Sequence, residues 1–427
     1  MPDPFDLVIS GGLIVDESGE RLADVVISDG YIAALGTGLS ADRRLDAAGC
    51  VVSPGFVDLH SHLRQPGMEE AETIESGSRA AALGGYTAVV AMPNTTPAID
   101  DAAMVREVQA LARTALCDIE VAGAITVGRA GERLVPMAEM AALGVKIFTD
   151  DGTGVQDALL MRRALEYAGG LGLTLAQHCE VSALSAGTCM HEGEWSSRLG
   201  LPGQPSEAEE LMVMRDIALS RLTGTRVHFQ HLSTAGSVAM VEAAKAGGLS
   251  ITAEAAPHHF TLTDECCAGY DAVYKVHPPL RSASDRQAVR LGLASHAIDA
   301  IATDHAPHLA HLKDLPFDQA PPGMLGLEYA FALAVTELGL ALSDVLAKLS
   351  WRPARIAGIA DVHGGPIEVG RPANLCVVAD DQTWEIDGSG GASRSSNVPY
   401  VGRRVTGRVR HTVFRGEAVV IDSQPMR

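Results

Sequence analysis

The feature that most constrains this chain is a procession of eight short apolar runs, separated by Ala- and Leu-rich stretches of helical character. They are Phe56–His60, Ala88–Met92, Ile119–Ala122, Val145–Phe148, Thr174–His178, Val227–His231, Ser250–Ala253 and Ala300–Asp304. Apolar β-type runs alternating with helices mark a parallel sheet with crossover helices. Eight in succession favour a closed barrel over an open doubly wound sheet. The flanks read differently. Short β-like runs at Leu7–Ser10, Leu13–Val15, Ala23–Ser28 and Tyr31–Leu35 are broken by Gly-Gly, Ser-Gly and Asp-Gly turns. Asn374–Ala379, Thr406–Arg410, Thr412–Phe414 and Ala418–Ile421 look alike, with residues 382–398 read as a Gly/Ser-rich loop. Neither flank is long enough for a sandwich of its own. The expected architecture is a TIM (β/α)8 barrel over 54–365, with a small composite β-sandwich domain from residues 1–53 plus 366–427.

Four of the eight runs end in metal-ligand residue types, at His60/His62, His178, His231 and Asp304. A fifth runs into Thr149-Asp150-Asp151-Gly152. In Asp58-Leu-His60-Ser-His62-Leu-Arg64, side chains two apart share a strand face, so both imidazoles project together and can share a metal. Arg64, at the next same-face position, sets a fixed cation beside that metal, suited to a carboxylate. Taken singly, each residue has a blander reading: packed strand histidines, a core histidine at His178, a turn cap at Asp150 or Asp151. His231 competes with His228, an odd number of positions away and so expected on the opposite face. Asp304 closes an apolar run, where a carboxylate needs a metal or a cation. Barrel active sites form where the C-terminal strand ends converge, and five placements at that end favour a metal site.

Composition narrows the partners. A formal net charge of −20 without a Lys/Arg run argues against nucleic acid or an anionic membrane. It leaves room for a small anionic substrate, which feels only the local field. The start, MPDPFDLVIS, lacks a signal-peptide pattern, and no apolar stretch reaches the ~18 residues of a membrane span. Seven cysteines without a CxxC pair fit reduced thiols in a cytoplasmic enzyme, and Cys179 reads as packing.

The chain resembles the long bacterial (type I) dihydroorotases of the amidohydrolase superfamily, nearly end to end. The resemblance rests on Val52-Ser-Pro-Gly-Phe-Val-Asp-Leu-His60, Met92-Pro-Asn-Thr95, Phe148-Thr-Asp-Asp-Gly152 and Ala253-Glu-Ala-Ala-Pro-His-His259. It continues through Pro278-Pro-Leu-Arg281, Ala302-Thr-Asp-His-Ala-Pro-His308, Gly326-Leu-Glu328 and Ser396-Asn-Val-Pro-Tyr-Val-Gly402. It implies a Zn2+ site of one or two ions, with His60, His62 and Asp304 holding one and His178 and His231 the other. Asp151 matches the bridging ligand, in preference to a modified Lys146. Asp304 is implied as catalytic base and acid, and His62, Arg64, Asn94, His277, His308, Pro322 and Gly323 as substrate-binding residues. The implied reaction interconverts N-carbamoyl-L-aspartate and (S)-dihydroorotate in pyrimidine biosynthesis. A homodimer or larger oligomer, and an aspartate carbamoyltransferase complex, are the partners it points to. Two positions depart from the family pattern: His277, where an asparagine is usual, and Gln65, where an acidic residue commonly follows the arginine. His277 keeps a second reading open, a hydantoinase-, dihydropyrimidinase- or allantoinase-like hydrolase. Substrates of those enzymes have no ring carboxylate for Arg64. A non-catalytic scaffold of the transferase would be expected to have lost the ligands that this chain retains.

Overall fold

The computed structural model describes residues 6–388 and 391–426. Its centre is built from eight parallel strands: β1 Phe56–Ser61, β2 Tyr86–Ala91, β3 Asp118–Val121, β4 Ile147–Phe148, β5 Thr174–Gln177, β6 Val227–Phe229, β7 Ile251–Ala255 and β8 Ala300–Ile301. They pair as β3-β2-β1 and as β4-β5-β6-β7-β8. Two parallel bridges join these groups, Gly123 with Phe148 and Ser61 with His305, so the pairing runs round in a closed ring. Each strand falls on one of the eight expected runs, differing only at the ends.

The crossover helices start where the sequence supplies caps. Thr73, Asp101, Asp157, Thr234 and Ser282 accept backbone N–H groups at the starts of helices Ile74–Leu83, Ala102–Leu111, Ala158–Gly170, Ala235–Ala246 and Ala283–Ser295. Along the ring, alternate side chains take opposite sides. Val89, Ala91, Val121, Phe148, Leu175 and Ile301 join the large apolar cluster shared with the helices. Ala88, Val90, Ala122, Ile147, Ala176, Ala300 and Ala302 form a separate cluster with Ala354 and Ile356.

Beside the ring lie two sheets assembled from both chain ends. The smaller contains Leu7–Ser10, Asp24–Ser28, Tyr31–Gly36 and Arg43–Asp46. The larger interleaves Leu13–Asp16, Gly19–Leu22 and Val51–Pro54 with Leu375–Glu385, Arg404–Phe414, Glu417–Ile421 and Gln424–Pro425. Leu7, Ile9, Val25 and Ile27 of one sheet pack with Ile14, Val52, Leu375, Val377 and Val413 of the other.

Two expectations are corrected. Thr406–Arg410 and Thr412–Phe414 are parts of one strand, because a register shift absorbs the extra residue without a turn. The strand from Leu375 runs to Glu385, so the first residues of the expected 382–398 loop are paired. Pro54, at the edge of the expected barrel span, pairs with Leu375 in the larger sheet. Gly55 has a steric reason to be there: a Cβ would lie 2.3 Å from the Thr87 side chain.

Candidate metal centre and substrate cavity

Each ligand type of residue arrives at the C-terminal end of a ring strand. His60 lies within β1 and His62 just beyond it. Asp151 follows β4, His178 follows β5, His231 follows β6 and Asp304 follows β8. All six are at most 6% exposed. His60 Nε2 lies 3.3 Å from Asp151 Oδ1 and 3.6 Å from Asp304 Oδ1. His62 Nε2 lies 3.1 Å from Asp304 Oδ1 and 3.5 Å from Asp151 Oδ2. On the other side, His178 Nδ1 and His231 Nε2 stand 3.5 and 3.6 Å from Asp151 Oδ1 and 2.9 Å from each other. Asp151 therefore sits between two histidine pairs. Its neighbour Asp150 turns away and accepts the Ile125 and Thr126 N–H groups at 2.8 and 3.0 Å. Lys146 is outside the cluster, with Nζ donating to the Gly358 carbonyl at 2.6 Å.

The polar atoms fit a divalent metal. Against the Glu254 carboxylate, 2.9 Å away, His60 Nδ1 is the protonated nitrogen. That leaves the buried His60 Nε2 lone pair aimed into the cluster with no hydrogen-bond partner among the described residues. His62 is oriented the same way by Asn94 Oδ1, 2.9 Å from its Nδ1. A second partner on the outer imidazole nitrogen is how metal-binding histidines are held. Four imidazoles and two carboxylates suit zinc. Burial pushes both aspartates up, but the neighbouring imidazoles outweigh it. The imidazoles of His60, His178 and His231 around it hold Asp151 well below the usual carboxylate range. The imidazoles of His62 and His60 facing it hold Asp304 low as well. Arg64, His231 and Asp304 all take positive φ, at 61°, 31° and 47°. Such backbone persists in non-glycine residues only where the surroundings enforce it.

A cavity of ≈ 240 Å³ opens beside the cluster, and His62, Arg64, Asn94, His277, His308, Pro322 and Gly323 all line it. Arg64 is 8% exposed, and no carboxylate pairs with it among the described residues. Its Nε donates to the Pro307 carbonyl at 3.1 Å, and burial lowers its guanidinium to about 10. His308 Nε2 donates to the Pro322 carbonyl at 2.8 Å, leaving Nδ1 as its acceptor. Burial, then the field of Arg64, pushes His308 down to about 3, so its ring is neutral at physiological pH. His277 Nδ1 stands 3.8 Å from Glu180 Oε2, and that oxygen accepts from Gln204 Nε2 at 3.1 Å. Gln65 points elsewhere and accepts the Ile74 N–H at the start of its helix.

Sequence reasoning missed three supporting residues. Glu254 bridges His60 Nδ1 and His228 Nε2, each at 2.9 Å. His228 therefore faces the same buried network as His60, contrary to the alternation argument. Strand β6 ends at Phe229 and His231 bends into positive φ, so a period of two cannot be carried from 228 to 231. Asp58 accepts the Thr303 N–H and hydroxyl, both at 2.7 Å, and the Ser61 hydroxyl. It ties β1 to the segment that carries Asp304. A lone carboxylate inside an apolar strand was the available signal for both Glu254 and Asp58.

The whole architecture recurs in solved structures. L-hydantoinase (dihydropyrimidinase) from Arthrobacter aurescens superposes with a TM-score of 0.89 at 24% identity, covering 99% of this chain and 98% of that one. D-hydantoinase from Thermus sp. gives 0.84 at 26% identity, with 98% and 96% covered. The fold and the clustered ligands define an amidohydrolase. Sequence comparison is more specific. A dihydro-orotase-like family profile matches residues 49–237. The dihydroorotase of Pelotomaculum thermopropionicum is 47% identical over 424 residues, covering 97% of this chain and 99% of the relative. That of Mycobacterium tuberculosis is 48% identical over 416 residues, covering 95% and 96%. The chain belongs to the dihydroorotase family, hydrolases that act on cyclic amides. No helix among the described residues is long and apolar enough to cross a membrane.

Proposed function

We propose that this chain interconverts N-carbamoyl-L-aspartate and (S)-dihydroorotate at a zinc centre, in pyrimidine biosynthesis. The observation that carries the substrate assignment is the buried Arg64 guanidinium, unpaired with any carboxylate among the described residues and lining the cavity beside the His/Asp cluster. A buried cation with no protein counter-ion is completed by a ligand carboxylate, which dihydroorotate has and hydantoin and dihydrouracil lack.

His60, His62 and Asp304 would hold one zinc and His178 and His231 the other, with Asp151 between them. When bound, the metal acidifies the attacking water and polarises the amide carbonyl. In the hydrolytic direction, Asp304 accepts a proton from the water as its oxygen bonds to the amide carbon. The same carboxyl returns the proton to the ring nitrogen as the C–N bond breaks. Ring closure retraces these steps. Arg64 forks the ring carboxylate. Asn94 spends its amide oxygen on His62 and keeps its N–H2 group for the substrate. Neutral His308 offers an acceptor, and His277 and the Pro322–Gly323 backbone flank the ring.

The same reading takes the ring as a TIM (β/α)8 barrel over 54–365, with 1–53 plus 366–427 as a composite β-sandwich domain. It includes a cytoplasmic setting, a homodimer or larger oligomer, and association with aspartate carbamoyltransferase, all supported by the family resemblance. The test is hydrolysis of dihydroorotate by purified, zinc-loaded protein, with hydantoin and dihydrouracil alongside. Turnover of dihydroorotate alone, abolished in Asp304→Asn, is the expected result. Turnover of an uncharged ring in its place would reassign the substrate.

A further inference from the structure

The segment from Ala392 to Asn397, between the two long strands of the larger sheet, is pinned against the ring. The Ala392 N–H donates to Glu328 Oε1 at 2.9 Å, and the Arg394 N–H to Glu72 Oε1 at 3.1 Å. The Ser393 hydroxyl also donates to Glu72, and the Ser395 hydroxyl to the Ala71 carbonyl at 2.8 Å. The strap ends at Asn397, which is 4% exposed.

Asn397 uses every hydrogen-bonding group of its side chain on the two loops beside the cavity. Its Oδ1 accepts the His308 N–H at 3.1 Å. Its Nδ2 donates to the Ala306 carbonyl at 2.9 Å and to the Gly323 carbonyl at 3.1 Å. Its own carbonyl accepts the Leu325 N–H at 3.1 Å. One amide thus joins the 306–308 loop to the 323–325 loop, with one acceptor and two donors all satisfied. The coupling reaches further, because the Pro307 carbonyl receives Arg64 Nε and the Pro322 carbonyl receives His308 Nε2. Asn397 does not line the cavity, so it acts on a ligand only through these neighbours.

We propose that Asn397 is a positioning residue for carboxylate capture. Carried by the segment between the sheet's long strands, it fixes the spacing of the two loops that align Arg64 and His308. The inference rests on Arg64 as the carboxylate partner proposed above. Only an amide of this length meets all three groups. Aspartate keeps the acceptor but loses both donors and faces two carbonyls with a charge, and glutamine displaces the same groups by one methylene.

The test measures KM and kcat for dihydroorotate in wild type, Asn397→Ala, Asn397→Asp and Asn397→Gln, each with its metal content, and competitive inhibition by orotate. KM and the orotate inhibition constant should rise together by about tenfold or more, the scale of one misplaced charged hydrogen bond. Metal content should hold, and kcat should stay within about threefold. Asn397→Asp should be at least as impaired as Asn397→Ala. Unchanged KM and inhibition in folded, metal-loaded variants would overturn the proposal. So would a fall in kcat alone, which points to a structural role. A wild type that turns over no dihydroorotate would instead overturn the substrate reading beneath it.

Discussion

In the proposed carboxylate site, Arg64 and His308 would divide the capture of an anion between charge and shape. His308 is held neutral by burial and by the Arg64 field, and its Nε2–H is committed to Pro322. The charge for a carboxylate would therefore come from Arg64. Arg64→Lys keeps a cation but loses the fork and the Nε bond to Pro307. The loss of one charge-assisted bond predicts a drop in kcat/KM of roughly 10- to 100-fold for dihydroorotate, mostly as KM. Steady-state kinetics of the metal-loaded variant would check it, and a change confined to kcat would contradict it. The cluster itself was legible in the sequence, because His60, His62, His178, His231 and Asp304 close recognisable apolar runs. Glu254, His228 and Asn397 were not. Their partners lie on other strands and loops, and a one-dimensional pattern records which face a residue takes, not what it meets there.

Among elements, the junction of β1 with the segment after β8 carries unusual weight. It closes the ring through the Ser61–His305 bridge and the Asp58 contacts to Thr303. Asp58 is pushed up to about 6 by burial, against the opposing hydrogen bonds from Ser61 and Thr303. Asp58→Ala leaves the buried Thr303 N–H and the Ser61 hydroxyl without this acceptor and the Thr303 hydroxyl with only the His60 carbonyl at 3.3 Å, and should cost about 2–5 kcal/mol. Denaturant midpoints of the metal-free proteins would measure it, and a loss under 1 kcal/mol would remove Asp58 from the closure. Strand positions in the ring were legible because fully buried parallel strands read as continuous apolar runs. The larger sheet was harder. Its longest strands carry exposed residues and a register shift, so Arg404–Phe414 reads as two pieces and the end of Leu375–Glu385 reads as loop.

Across the whole molecule, ring and sheets share one core. Val15, Val51, Val405 and Val409 belong to the same apolar cluster as Phe56, Tyr86 and Phe331. Lys348, fully buried near the start of β8, donates to the Ile298 carbonyl at 3.3 Å. Burial, then the field of Arg352, lowers its ammonium from 10.5 to about 7. The sign follows from proton counting. Below about 7 both states hold the proton. Between about 7 and 10.5 the unfolded chain keeps a proton that the folded lysine has shed, so stability rises with pH. From pH 7 to 9 this group alone should add about 2 kcal/mol, and Lys348→Met should remove that increment. Urea midpoints of both proteins at the two pH values would check this, and identical slopes would refute it.

The pairing of Val51–Pro54 with Leu375–Val378 also sets a timetable for synthesis. The first of these strands leaves the ribosome about 320 residues before its partner. At ~5–20 residues per second it waits on the order of 15–65 s with that edge unpaired. During that interval the edge is open to other nascent chains, and translation speed becomes a determinant of how much chain reaches the native state.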